Sequence, residues 1–380
     1  MNVKYLSKIS IDEAIIYILF TSIFIPYRVN SIIATLAVIY ILFSNKISDC
    51  LQKNHGIWVI LFVIYCFVIA GINSNYPGIK RAFEFFEVIV IAKYIRKTIT
   101  LDTFEKGLDI TCIMAIATSV ISIFDFGYNQ FFLSPKRLHR CVLYFRNSNY
   151  LATLFAIVII VCGYKLLNHY RKNIYYYITA FFCTIGAYLT GSMFVWVEIF
   201  IGCAVLLLLT RRHQLLSALF LLAGTCIVIL YCIPSIMPRI SVSNLSTDSR
   251  VAIWTTTLEA IKDATPFFGK GFLTYFLVEG NYPGSYNSTH SHSIFLEPIL
   301  CFGIIGTILI VVYFTYFYKR VSLCRNAQHK YCISSLIIAM SVAILAHGTT
   351  DITFLWLQTG LFYALIFASI GIEEKLLKIN

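Results

Sequence analysis

The chain has 380 residues, of which 59% are hydrophobic and only 13% charged, with a mean hydropathy of +0.79 and a formal net charge of +12. A composition this apolar excludes a soluble multidomain protein and places the chain in a membrane. No basic face with interleaved aromatics is present, so nucleic acid is not an expected partner.

A helix needs about 20 mostly apolar residues to cross the hydrocarbon core. In chain order such stretches fall at 12–27, 30–44, 56–72, 79–95, 106–127, 148–167, 174–191, 193–210, 214–234, 293–318, 331–347 and 355–372. They predict an all-α, polytopic membrane protein of about 12 transmembrane helices. The second stretch is short, and the fourth carries Glu84 and Glu87. The first lacks a small-residue cleavage site and runs directly into another span, which reads as a retained helix rather than a removed signal. Residues 1–380 are expected to form a single integral membrane domain with one longer extracytoplasmic loop, 235–292, between spans nine and ten. Most of the 12 cysteines sit within or beside the apolar spans, as small core residues do.

An even number of spans puts both termini on one side. About two-thirds of the 30 Lys and Arg lie in loops on that side, which the positive-inside rule makes cytoplasmic. The rest face outward, unevenly. The loop before span six, SPKRLHRCVLYFRNSNY, carries Lys136, Arg137, Arg140 and Arg146 without a carboxylate, against the insertion bias. An anion bound there would account for the cluster; attraction to anionic lipid headgroups is the alternative.

In the long loop, Asp248 reads as an N-cap, and Val251, Trp254, Leu258 and Ile261 recur at helical spacing up to Pro266. This predicts an amphipathic helix with Arg250 in its first turn, where a cation gains nothing from the helix dipole and an external anion would explain it. PFFGKGF follows as a turn, with Gly269 and Gly271 freeing the backbone. The loop returns to the membrane through THSHSIF, placing His290 and His292 two apart at the start of span ten. Three readings of the pair stand: interfacial polar residues without chemistry, a metal site completed by Glu297, His347 or Asp351, and a neutral imidazole acting as general base. The metal reading lacks a recognisable ligand spacing, so no metal and no cofactor are expected. Polar groups that break the apolar pattern, Glu297, His347 and Asp351 among them, gather at the outer leaflet. Chemistry on a lipid headgroup wants that placement, whereas a transporter wants such groups near the midplane.

Four segments in this order resemble the O-antigen ligase and polysaccharide polymerase family of bacterial membrane glycosyltransferases. RCVLYFRNSNYLA (140–152) is similar to the family's Arg followed by Asn-Pro-Asn, and LTGS (189–192) to its Gly-Ser-Arg. SRVAIWTTTLEAIKDATPFFGKGF (249–272) is similar to its Arg, Trp, Pro and Gly-x-Gly element, and HSHSIFLEPILCFGIIG (290–306) to its His-x-His-Asn with a following Gly-x-x-Gly. HGTTD (347–351) also fits. The chain departs from the pattern at Ser148 for proline, Ser293 for asparagine and Met193 for an arginine that would hold pyrophosphate; Arg137, Arg140 or Arg146 would then supply that charge.

The resemblance implies a metal-independent, inverting transfer of an oligosaccharide from undecaprenyl pyrophosphate to an acceptor sugar hydroxyl at the outer face of the cytoplasmic membrane. In that reading His292 is the base supported by His290, and Arg140, Arg250, Arg137, Arg146, Asn149 and Glu297 bind pyrophosphate or substrate. The partners it implies are the lipid-linked oligosaccharide donor, a glycan acceptor, membrane lipid, and a chain-length regulator or flippase. A polymerase is the preferred form because the chain is compact and its outer loop modest. The alternatives are ligase-type transfer to a lipid core, teichoic acid or protein, a secondary transporter or glycolipid flippase, and a scaffold without catalysis.

Overall fold

The computed structural model describes residues 9–44, 56–133, 140–168, 173–236, 249–264, 266–327 and 332–378. Among these residues every regular element is helical. In chain order the helices are α1 (Ile11–Ser22), α2 (Tyr27–Phe43), α3 (Gly56–Ile72), α4 (Tyr76–Thr98), α5 (Leu101–Tyr128), α6 (Ser148–Asn168), α7 (Asn173–Leu189), α8 (Phe194–Leu209) and α9 (His213–Cys232). They continue with α10 (Ser249–Ala264), α11 (Thr274–Val278), α12 (Leu296–Asn326), α13 (Ile333–His347), α14 (Leu357–Ala368) and α15 (Ile370–Leu376).

A helix lies over each of the apolar stretches, but length and composition suffice for membrane crossing in only four of them among the described residues: 101–132, 148–168, 213–232 and 296–326. Five more apolar helices run 10–17 residues, too short to cross unaided, so the expected twelve crossings do not follow from helix length. Two helix starts are capped: Ser10 and Glu13 form a capping box on α1, and Asn75 caps α4 through Gly78 N.

Helix α6 is the central pillar. It is apolar all round and buried on nearly every face from Tyr150 to Tyr164, as an interior helix must be. Around it pack α7, α8 and α13, with α5 behind α7, while α4, α2 and α14 form an adjoining layer. Helix α9 has no buried residue and lies at the periphery. Charges inside the bundle are paired. Glu84 meets Arg81 and the Tyr27 hydroxyl, and Glu87 accepts from Thr35 Oγ1 at 2.6 Å, which explains how the fourth apolar stretch carries two glutamates. Lys165, 2% exposed, sits on α6 between Glu105 and Asp109 of α5. At the opposite end from the candidate site, Arg96 is bidentate to Glu374, and Glu373 caps the N-terminus of α13 through Ile333 N and Ser334 N.

The outer loop departs from expectation in two places. Asp248 lies outside the described residues. Helix α10 forms as predicted, but its buried face is Ile253, Thr256, Thr257 and Ala260 rather than the Val251–Leu258 stripe, and both of those are more than half exposed. Threonine and alanine at helical spacing let α10 approach α12 and Tyr275 closely, and the larger aliphatics turn outward. The second departure concerns the glycines. Helix α12 is broken at Gly303, where φ is 62° and ψ −170°.

The segment 266–271 crosses this break and takes up the freed backbone groups. Ile304 N donates to Pro266 O at 3.1 Å, Ile305 N to Phe267 O at 3.2 Å, and Gly271 N to Cys301 O at 2.8 Å. Tyr65 and Asn75 tie the same strap to α3 and α4, through Phe268 O, Phe302 O, Lys270 O and Phe272 O. A Cβ at Gly303 would lie 2.3 Å from Phe267 C, and one at Gly269 2.2 Å from Cys301 O. The glycines are therefore required by contact between two backbones as well as by positive φ. Gly303→Ala should lower stability by about 1–3 kcal/mol, read as earlier thermal unfolding in detergent. Gly224→Ala, on the exposed α9 with open space around it, should leave the midpoint unchanged.

Candidate active site

The N-terminal end of α6, the C-terminal end of α13, the turn 190–194, the start of α10 and the loop 288–295 converge on one carboxylate. Asp351, 1% exposed, follows the last turn of α13. Its Oδ1 is 3.0 Å from His290 Nε2 and 3.1 Å from His292 Nδ1, and it also accepts from its neighbour Ile352 N at 2.8 Å. Its Oδ2 accepts from Asn149 Nδ2 at 2.6 Å. Asn149 in turn accepts from Arg140 Nη2 at 3.0 Å, and Arg140 Nε donates to Thr190 O at 3.0 Å. Arg250 donates its Nε to Thr350 O at 3.1 Å, and its guanidinium lies 5.6 Å over the Phe194 ring. Arg140, Asn149, Arg250, His290 and His292 thus meet around residues 350–351, although Asn149 alone is 202 residues from Asp351 in the chain.

The two histidines differ. His290 is buried and engaged at both nitrogens, with Thr289 Oγ1 2.9 Å from Nδ1. Burial pulls its imidazole toward the neutral form, but the Asp351 carboxylate overrides this and holds its pKa above the usual histidine value. For Asp351 burial likewise opposes ionisation, and the two imidazoles prevail, holding the carboxyl well below its usual range. The His292 side chain is 21% exposed, and its Nδ1, although 3.1 Å from Asp351 Oδ1, is off the line a hydrogen bond requires and has no other partner. The backbone at His292 is left-handed, with φ 52°, a conformation costly for a non-glycine residue. It is fixed by Ile294 N donating to Gly348 O at 2.7 Å and by Trp254 Nε1, 3.5 Å from His292 O. The rings of His290 and His292 lie 4.2 Å apart.

Glu297, 3% exposed, holds the histidine loop by accepting from Ser291 N at 2.7 Å on one oxygen, and its other oxygen accepts from Cys301 Sγ of its own helix at 3.2 Å. Arg146 stands apart from Arg140. It is exposed, has φ 63°, and places its guanidinium 4.8 Å over Tyr27. Arg137 lies outside the described residues. Ser293 Oγ is 3.4 Å from Leu296 N at the start of α12.

Arg81, Trp356, Tyr150, Glu198 and Tyr363 were not foreseen as site residues. A cavity of about 860 Å³ runs between α3, α4, α12 and α14, lined mostly by apolar side chains. It reaches Thr289, His290, Arg81 and Trp356 at one end and Lys93 and Arg96 at the other, and neither Arg140 nor Arg250 lines it. Arg81 stacks on Trp356 at 4.1 Å, and Trp356 also stacks on Tyr150 at 4.5 Å. Below Asp351, one helical turn inward, His347 Nδ1 pairs with Glu198 Oε2 at 2.6 Å, and Tyr363 donates to Glu198 Oε1 at 2.7 Å. HGTTD signals His347 and Asp351 as polar residues ending an apolar run; Arg81 and Glu198 carry no local signal, since their partners are remote in sequence.

Residues 178–311 match the family described as O-antigen ligase, which bears out the resemblance over that stretch. The match takes in Arg250, His290, His292 and Glu297. No curated protein matches the chain. A likeness over this part of the chain points to a membrane enzyme of glycan transfer in general terms.

The paired titrations set a pH window for the loop. The contribution of His290 is complete below the ordinary histidine pKa and lost as pH rises through its raised value. That of Asp351 is present above the ordinary carboxylate pKa and lost as pH falls through its lowered value. Protection of residues 285–295 from limited proteolysis should therefore be greatest between the two and decline on both sides, and Asp351→Asn should flatten both limbs.

Proposed function

We propose that this protein is an inverting, metal-independent glycosyltransferase working at the extracytoplasmic face of the cytoplasmic membrane. It moves an oligosaccharide from a polyprenyl pyrophosphate to an acceptor sugar hydroxyl, acting as a polysaccharide polymerase, with ligase-type transfer as the alternative. The observation that carries the reading is the buried Asp351, which joins two imidazoles to an Asn149–Arg140 arm beside Arg250.

His292 is the base. It is the more exposed of the pair, while His290 is committed to Asp351 at Nε2 and to Thr289 at Nδ1. The acceptor hydroxyl attacks the anomeric carbon of the donor sugar, the bond from that carbon to the phosphate oxygen breaks, and the hydroxyl proton passes to His292. The imidazolium so formed is stabilised by the Asp351 carboxylate, which also orients the ring. The polyprenyl pyrophosphate leaves with the electron pair of the broken bond. The guanidiniums of Arg140 and Arg250, pre-set by Thr190 O and Thr350 O, meet its growing charge. Direct displacement from the face opposite the leaving group inverts the anomeric centre.

The apolar cavity supports a lipid-borne substrate. A prenyl chain fits along α4 and α12, and Arg81 with Trp356 offers a cation and an aromatic platform where such a chain would meet its phosphate or first sugar. Asn149 holds Asp351 and Arg140 in register, and Glu297 sets the histidine loop rather than contacting substrate itself.

Purified protein supplied with a defined lipid-linked oligosaccharide should form new glycosidic bonds in detergent, where a transporter, lacking two compartments, would show nothing. His292→Ala should reduce transfer about 10²–10⁴-fold, and Arg250→Ala about 10²–10³-fold with unreacted donor accumulating. Full polymer formation by correctly inserted His292→Ala would remove the base from this scheme.

A further inference from the structure

We propose that His290, His292 and Asp351 form a binding site for a divalent transition metal ion, and that filling it switches off glycan transfer. One ligand atom from each lies within 4.8 Å of the other two, and the two nitrogen–oxygen separations, 3.0 and 3.1 Å, are those of ligands sharing one ion at ordinary bond lengths. Two imidazoles and a carboxylate are a borderline donor set, suited to zinc, cobalt or nickel and poorly suited to magnesium or calcium. Three protein ligands leave a coordination position open toward the side from which His292 is exposed.

Three further observations favour an ion over a simple hydrogen-bonded cluster. His292 Nδ1 is buried, lies 3.1 Å from Asp351 Oδ1 and makes no aligned hydrogen bond. The loop keeps it there in a left-handed conformation that nothing local favours. The groups behind the ligands are also those that tune metal sites: Thr289 Oγ1 at His290 Nδ1 fixes the ring, and Asn149 Nδ2 at Asp351 Oδ2 fixes the carboxylate. Arg81 is the nearby opposing charge and Glu297 the assisting one.

The functional half of the proposal rests on His292 being the base. A metal on His292 Nδ1 and His290 Nε2 removes Asp351 as counter-charge for an imidazolium and blocks proton transfer, so the same residues cannot be base and ligand at once. Metal binding itself does not depend on that reading, and the two halves are measured separately.

Tag-free full-length protein in detergent is titrated with cobalt(II) in the absence of any glycan. Visible ligand-field bands saturating at one ion per chain are expected, with zinc displacing cobalt. Asp351→Asn and His290→Ala should abolish the bands. Thr289→Val, a change at an exposed position that leaves the ligands intact, should weaken cobalt binding about 10–100-fold. Absence of the bands, or bands of equal strength in Asp351→Asn and Thr289→Val, overturns the site; the latter would place the metal on surface groups such as Cys226, Cys232 or His213. With lipid-linked oligosaccharide added, saturating zinc should suppress transfer and a chelator restore it. Transfer that persists or rises with zinc bound overturns the inhibitory role, and a protein that binds cobalt yet transfers no glycan under any condition counts against the glycosyltransferase reading alone.

Discussion

The candidate-site end of this protein is organised by the need to keep one buried carboxylate ionised. Asp351 has almost no access to solvent. Unpaired, a charge there costs several kcal/mol; its partners therefore have to be brought to it whatever their place in the chain. The histidine loop, the end of α13, the start of α6 and, through Asn149, Arg140 are all drawn to the same point. Positions that look independent in the sequence are in this sense one electrostatic unit, and their geometry is inherited from a single requirement.

The second support is mechanical. The broken α12 and the strap of residues 266–271 interlock through main-chain hydrogen bonds on both sides of Gly303. Glu297, on the short outer part of α12, reaches back to Ser291 N, so the position of the histidine loop is set by where that helical fragment sits. The glycine-rich strap and the histidine loop, neighbours in sequence, are thereby coupled twice, once along the chain and once through α12.

Much of the fold is legible in the sequence, because a membrane helix must be apolar along its whole length and polar residues punctuate it. The helices follow the apolar stretches closely, and the polar residues at their outer ends, His290, His292, Arg140, Asn149 and Arg250, stand out against that background. What escapes is pairing. Arg81 reads as an ordinary outer cation until Trp356 is found beneath it, and Glu198 gives no sign of His347. Asp351 can be seen as misplaced, but not as the hub, since that depends on partners 61 and 202 residues away. Helix α10 forms as expected, but the face it buries against the protein escapes for a different reason. Hydrophobicity singles out Val251 and Leu258, while close helix contact selects the smaller Thr256, Thr257 and Ala260.

Lys165 carries an implication for how the chain enters the bilayer. An ammonium left unpaired on α6 alone is costly in lipid, and both of its carboxylate partners, Glu105 and Asp109, belong to the preceding helix. Helices α5 and α6 therefore leave the insertion machinery most cheaply as a preassembled hairpin with the ionic contact already made. The central pillar of the bundle is then committed to its first neighbour before the later helices that complete the outer face have been synthesised.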